Sequence, residues 1–196
     1  MFLADAVILA DESGKVRRLQ RLTEPRLRLD VEGEVVDLKS PLTSDPASTR
    51  DAVIVATEDG RARSLSGRDL SSLGAVTLHV PRAYGPVAIG ENVYIVDKGG
   101  GALAFGPEGD RTWGTDLRDT PPIGPPVVVG DAVWFLSRDG VLQKRSLADG
   151  SQVDRLDLGI LPSGGLTFIG QDVVVSAAPG TIRMLKPAEG TAGGAP

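Results

Sequence analysis

The chain of 196 residues contains no cysteine and only one histidine, His79. The lack of cysteine excludes disulfide bonds, thiol catalysis and thiolate metal sites. A single histidine cannot build a metal site of the usual kind, so we expect no bound metal. The sequence also has no apolar run near the roughly 20 residues that a helix needs to cross a bilayer, so no membrane span is predicted.

Basic residues are not in excess, since 21 Lys and Arg stand against 26 Asp and Glu, for a net charge of −5. Nucleic-acid binding requires a basic footprint, so nucleic acid is not an expected partner. Aromatic residues make up only 4% of the chain, so aliphatic side chains must fill most of the core. The 25 glycines and 14 prolines mark many turns, which favours short strands over long helices.

What the chain does have is an internal repeat. A valine that opens an apolar run recurs every 40 residues, and a glycine follows it seven residues later. The valines are Val53, Val93, Val133 and Val173, and the glycines are Gly60, Gly100, Gly140 and Gly180. An earlier copy, Val7 with Gly14, precedes the next by 46 residues. A fixed period of this length indicates one supersecondary unit stacked several times.

Each unit predicts four antiparallel strands: inner, middle, third and outer. The middle strands (5–10, 51–56, 91–96, 131–136 and 171–176) are short apolar runs without polar alternation, so both of their faces should be buried. The glycine turn then leads to a third strand, and an outer strand follows. Sheets of four strands in about 40 residues predict an all-β fold, a β-propeller of about four to five blades.

The ring is expected to be incomplete or open, because the end units are irregular. The first unit has little sequence before its middle strand and carries extra residues in 22–34. The second unit has a weak inner strand in 42–50, and the last ends after its third strand. We predict one propeller domain over 1–186, followed by a disordered tail over 187–196.

The segments 126–150 and 85–113 resemble the quinoprotein-type, or pyrroloquinoline-quinone-like, propeller repeat. They share its apolar strand ending in glycine, its Val-aromatic strand and a following turn with glycine. The resemblance covers roughly 46–186, and 1–45 more weakly. Dehydrogenases of this family hold a quinone with calcium, often against a cysteine pair and a catalytic Asp. No position of this chain matches those ligands, so the resemblance implies a non-catalytic member without a cofactor.

Most polar residues that could form a site have a simpler structural interpretation. His79 falls in a predicted outer strand and should face solvent, and no carboxylate is spaced along the chain to support it. Asp59, Asp139 and Asp149 each precede a glycine, as turn geometry favours. No helix is expected after Gly99–Gly101, so this run is not a phosphate loop. The two tryptophans, Trp113 and Trp134, are expected to pack between blades.

The basic cluster of 15–28 is the first candidate surface for a partner. It contains Lys15, Arg17, Arg18, Arg21, Arg26 and Arg28. Its interpretation as a site for an acidic partner or membrane surface stands against a solvated strand and loop. Tyr84 and the segment 121–126 are predicted to lie on connections between blades, which line one face of a propeller. We select Arg18, Arg21, Arg26, Arg28 and Tyr84 as candidate partner-binding residues.

These observations favour a non-enzymatic scaffold that presents its connections to a protein or peptide. Two alternatives stay open: a fragment of a quinone-dependent oxidoreductase, and the C-terminal part of a larger sensor or assembly protein without independent activity. An incomplete ring would also favour self-association. The first residues are not typical of a signal peptide, because Asp5 interrupts the apolar run. The family resemblance suggests the bacterial periplasm or cell envelope.

Overall fold

Antiparallel strands provide all the regular secondary structure in the part of the chain that the computed structural model describes, which is 6–22, 28–30, 35–170 and 172–185. These strands form five sheets in chain order. We call the sheets blades 1 to 5. The residues 187–196, predicted as a tail, lie outside the described ranges.

The strand bounds follow the repeat. Blade 1 comprises β1 (Ala6–Ala10), β2 (Lys15–Leu22), β3 (Arg28–Asp30) and β4 (Val35–Asp37). Blade 2 comprises β5 (Ala47–Ser48), β6 (Ala52–Thr57), β7 (Arg61–Ser66) and β8 (Ser72–Thr77). Blade 3 comprises β9 (Ala83–Ile89), β10 (Asn92–Asp97), β11 (Gly101–Phe105) and β12 (Arg111–Asp116). Blade 4 comprises β13 (Val127–Val129), β14 (Ala132–Leu136), β15 (Val141–Ser146) and β16 (Gln152–Asp157). Blade 5 comprises β17 (Pro162–Ile169), β18 (Asp172–Ala177) and β19 (Thr181–Leu185).

The middle strands are buried on both faces, as their sequences predict. In β6, the five residues Ala52–Ala56 are all 0% exposed. Successive residues of a strand point to opposite sides of the sheet, so such burial requires a neighbouring sheet on each side. The strand β18 differs, because only alternate residues, including Val173 and Val175, are fully buried there.

Apolar clusters join the blades in chain order. Ile8 of blade 1 packs with Val53 of blade 2, and the opposite face of β6 packs with Val93 of blade 3. Further clusters join blade 3 to blade 4 and blade 4 to blade 5. No cluster among the described residues joins blade 5 to blade 1. The fold is therefore a β-propeller that is open in its described part.

The repeated glycine ties each turn to the outer strand of the same blade. The glycines at 14, 60, 100 and 140 all have φ between +77° and +99°, a conformation that favours glycine. Each carbonyl accepts the N–H of a leucine just after the outer strand, at 2.7 to 3.0 Å. The four pairs are Gly14–Leu38, Gly60–Leu78, Gly100–Leu117 and Gly140–Leu158.

The irregular units have the expected strands, with one addition. The inner strand of blade 2 is only two residues long, β5, and follows Pro46. Blade 1 has no inner strand and blade 5 no outer strand within the described ranges. The extra residues of the first unit contain β3, which pairs with the end of β2, while β4 pairs with its beginning. Part of the insertion therefore extends the sheet.

Trp113 fastens the outer strand of blade 3 to blade 4. Its indole Nε1–H donates to the carbonyl of Leu147 at 2.9 Å, and its ring centroid lies 6.0 Å from that of Tyr94. Gly150 provides the space, because a Cβ atom there would lie 2.7 Å from the indole ring. Trp134 has a similar role one blade on, with its ring centroid 5.6 Å from that of Phe168. Both tryptophans thus pack between blades, as the sequence analysis expected.

We expect Trp113→Phe to lower the free energy of unfolding by about 1–3 kcal/mol, because it removes the bond to Leu147 and leaves a void beside Gly150. Urea unfolding followed by circular dichroism measures this loss. The matched control is Val153→Ala, which changes the corresponding but exposed position of blade 4. The control should change stability by less than about 0.5 kcal/mol. Equal losses in the two variants would contradict the fastening role of Trp113.

Candidate functional site

Arg17 and Arg18, neighbours in the predicted basic cluster, point to opposite faces of blade 1. Arg17 is exposed, whereas the half-buried Arg18 turns to blade 2 and its Nε–H donates to the carbonyl of Gly67 at 3.0 Å. Arg21 lies in β2 and Arg28 in β3, where their backbones take part in the pairing of these strands. Arg26 lies outside the described residues. The cluster is therefore not one continuous surface, and Arg18 also connects two blades.

Tyr84 lies in the inner strand β9, not on a connection as predicted, because this strand begins three residues earlier than its apolar run. The half-buried ring packs against the cluster between blades 3 and 4, and the Lys98 ammonium lies 4.9 Å from its centroid. The segment 121–126 does connect β12 to β13. Tyr84 is accordingly a packing residue whose partner-binding role stays a prediction.

The Asp-Gly residues lie in turns, and neighbouring groups hold two of their carboxylates. Arg63 forms an ion pair with Asp59, and the Thr57 hydroxyl donates to the same carboxylate at 2.7 Å. Hydrogen bonding from Arg63 is the main reason why the pKa of Asp59 falls to about 2. The backbone N–H of Ser151 donates to Asp149 at 3.0 Å and lowers the pKa of that carboxyl. These contacts support the interpretation of both residues as turn-forming.

A buried carboxylate beside His79 was missed by the sequence analysis. Asp97, which is 0% exposed, accepts the backbone N–H groups of His79, Gly99 and Gly101 at 2.9 to 3.0 Å. Its Oδ2 also lies 3.4 Å from the Nδ1 of His79, whose side chain is 67% exposed. The expectation that no carboxylate supports His79 is therefore wrong. His79 itself lies just after β8, which ends at Thr77.

The repeat contains a signal that could have found Asp97. A polar residue ends or directly follows the middle strand of several blades, and its side-chain oxygen accepts the backbone N–H of the first residue of the third strand. Asp11 accepts from Lys15 at 3.1 Å, and Ser137 accepts from Val141 at 2.9 Å. Asp97 stands 40 residues before Ser137 and bonds Gly101 in the same way. Its longer side chain adds the contact with the preceding connection.

A cavity of about 470 Å³ opens where this connection meets blade 3. We call it the glycine pocket, and its lining includes His79, Gly99, Gly101, Arg111, Gly114 and Arg118. A Cβ atom at Gly101 would lie 2.2 Å from the Nδ1 of His79, so glycine is needed for the contact with Asp97. A Cβ atom at Gly114 would lie 1.8 Å from the guanidinium of Arg111, which lies across this glycine.

The two arginines of the glycine pocket differ in their partners. Arg118 forms an ion pair with Asp116, with 2.6 Å between Nε and Oδ2, which lowers the pKa of Asp116 and raises that of Arg118. The guanidinium of Arg111 has no hydrogen-bond or ion-pair partner among the described residues. The pocket therefore contains one neutralised and one unneutralised guanidinium.

The second candidate surface is the outer face of blade 5. Strand pairing places seven side chains on it, of which one, Asp172, is charged: Thr167, Ile169, Asp172, Val174, Ser176, Ile182 and Met184. The exposed fractions of Ile169, Ile182 and Met184 are 61%, 76% and 59%. No other described sheet packs against this face, which we call the terminal face.

The described ranges contain neither a metal-binding cluster nor a membrane-spanning helix. Within the described residues, no three His, Asp or Glu side chains lie close enough together to hold a metal ion. No helix long and apolar enough to cross a bilayer occurs in the described part of the chain.

Comparison with known proteins identifies the fold. No protein-family model and no curated protein sequence matches the chain. The crystal structure of BamB from Moraxella catarrhalis is similar, with a TM-score of 0.72 and 16% identity, over 94% of this chain and 56% of BamB. The computationally designed Ika8 protein is similar at a TM-score of 0.74 and 17% identity, over 95% and 57% of the two chains. The designed Ika4 protein gives a TM-score of 0.64 and 16% identity, over 76% and 92%.

These likenesses support a β-propeller repeat architecture and confirm the predicted fold class. Identities of 16–17% show the fold alone. The chain spans little more than half of BamB and of Ika8. The finer prediction, a quinoprotein-type branch, stays a prediction.

We expect Asp97→Ala to lower the free energy of unfolding by roughly 2–4 kcal/mol, because three backbone N–H groups lose their acceptor. Asp97→Ser should lose less, since a serine can accept from Gly101 as Ser137 does from Val141. Asp11→Ala, at the exposed counterpart in blade 1, is the control and should lose least. Urea unfolding of the three variants checks the order, and an Asp97→Ala protein as stable as the parent would contradict it.

Proposed function

We propose that this chain is a non-catalytic β-propeller module of the quinoprotein-type repeat branch, and that it binds protein through its terminal face. The observation that carries the proposal is the exposure of Ile169, Ile182 and Met184 on one sheet face, whose described strands add a single charged side chain, Asp172. Contiguous exposed apolar surface of this kind marks interaction sites in soluble proteins.

The terminal face lacks the neighbouring sheet that covers the other face of blade 5. Its other face buries Val173 and Val175 completely against Trp134 and Leu142 of blade 4. The two faces have similar apolar side chains, but only one is covered. Burying a large aliphatic side chain stabilises a protein by about 1.5–3 kcal/mol, so covering the terminal face supplies a substantial driving force for association.

The likeness to BamB and the repeat motifs of 85–113 and 126–150 support the proposed branch. The lack of a matched quinone site supports the non-catalytic role.

The connections between blades, including 121–126, are the second surface that we assign to partner binding. Arg18, Arg21, Arg26, Arg28 and Tyr84 remain proposed contributors.

A second candidate function is that of one part of a longer propeller. The coverage of BamB and Ika8, 56% and 57%, favours it, because a further blade in such a ring would cover the terminal face. Under either candidate function, the isolated chain exposes its terminal face to solvent. The partner that we expect in solution is then a second copy, since the uncovered apolar side chains of two such faces bury one another when two copies meet.

We expect the chain to self-associate in sedimentation equilibrium over two decades of protein concentration. The double variant Ile182→Glu with Met184→Glu should be monomeric, because it places like charges on opposing faces. Leu156→Glu, on the outer strand of blade 4, is the control for an exposed apolar residue elsewhere and should associate like the parent. A monomeric parent with a sharp unfolding transition would overturn the role of the terminal face.

The non-catalytic role has a separate test. Addition of pyrroloquinoline quinone and calcium should give no dye-linked alcohol oxidation, because no ligand set for them was matched in this chain. A known quinoprotein dehydrogenase, reconstituted in parallel, is the positive control. Turnover by this chain would contradict the proposal and favour the oxidoreductase alternative.

A further inference from the structure

The glycine pocket is a place where blade 3 departs from its own repeat. At the positions that correspond to Gly101, blades 2 and 4 carry Arg61 and Val141. At the positions that correspond to Gly99, they carry Asp59 and Asp139. Blade 3 therefore has no side chain of its own at these two positions, and a cavity of about 470 Å³ lies beside them.

The glycines that line the glycine pocket have a structural cost. Glycine in a strand packs no side chain and loses more conformational entropy on folding than other residues. Gly101 begins β11 and Gly114 lies inside β12. Blade 3 keeps both glycines, and the space above them holds the guanidinium of Arg111 and the ring of His79.

The charged groups around the pocket differ in their hydrogen-bond partners. Asp116 neutralises Arg118. Asp97 is buried, and its oxygens accept three backbone N–H groups. Arg111 is the guanidinium that has no partner within the described lining. A planar guanidinium with free donors binds a carboxylate through two parallel hydrogen bonds.

We propose that the glycine pocket binds one carboxylate through Arg111, and that an Asp or Glu side chain of a protein partner supplies it. The guanidinium of Arg111, which has no partner in the described lining, matches a carboxylate in the sign of its charge and in its planar shape. The volume lies within the roughly 300–1,000 Å³ of ligand sites, and the pocket opens beside the connection between blades 2 and 3. Only the peptide source of the carboxylate rests on the proposed protein-binding function.

The test is an NMR titration of the ¹⁵N-labelled full chain with three probes. They are the acetylated, amidated peptide Ala-Ala-Glu-Ala-Ala, its counterpart with Gln in place of Glu, and sodium acetate. The glutamate peptide should shift the amide signals of Gly99, Gly101 and Gly114 in a saturable way. The glutamine peptide should bind about tenfold more weakly, because it lacks the charge that Arg111 pairs.

Two variants test the residue that we assign. Arg111→Gln should weaken binding of the glutamate peptide by about tenfold. Gly114→Ala keeps the charge but displaces the guanidinium, and it should weaken binding by severalfold. Arg138→Gln, in an exposed turn of blade 4, is the matched control and should bind like the parent.

Each contrary result overturns a defined part of the proposal. No saturable shift, equal binding of the Glu and Gln peptides, or equal effects of Arg111→Gln and Arg138→Gln would overturn the carboxylate site. Acetate binding as tight as that of the glutamate peptide would overturn the peptide as its source. If the chain self-associates but does not bind the peptide, only the carboxylate site of the glycine pocket is refuted. If the chain binds the peptide but is strictly monomeric, only the binding role of the terminal face is refuted.

Discussion

Face-to-face stacking of the middle strands is the constraint on which the rest of the structure depends. Each of β6, β10 and β14 has two apolar faces, and neither can be satisfied unless a sheet lies on each side. The order of the blades, the tight turns and the position of Trp113 all follow from this requirement. Blade 5 meets it on one side only, and its other side is the terminal face.

This constraint explains why the sequence predicts so much of the fold. Strand position and turn conformation depend on local residues, such as the apolar run at Val133 and the positive φ of Gly140. The 40-residue period then repeats that local signal in register. Even the weak inner strand of blade 2 could be predicted, because 42–50 lacks an apolar run, and the structure has only β5 there.

The candidate sites were less predictable, because they arise where one blade meets the next. His79 and Asp97 are 18 residues apart and belong to different blades, so their contact depends on the path of the connection. The sequence favoured a solvent-exposed Arg18, yet its Nε–H donates to the carbonyl of Gly67 across the interface between blades 1 and 2. The glycine pocket depends on side chains that blade 3 lacks, and such a space shows only when the blades are compared with one another.

The one-sided packing of blade 5 also bears on how the molecule loses its structure. Each inner blade must break two apolar interfaces to separate, whereas blade 5 must break only the cluster that it shares with blade 4. In stacked repeats, opening therefore starts where a unit has a single neighbour. Amide hydrogens of β18 and β19 will exchange with solvent before those of β6, and a protein bound at Ile182, as we propose, would slow this exchange.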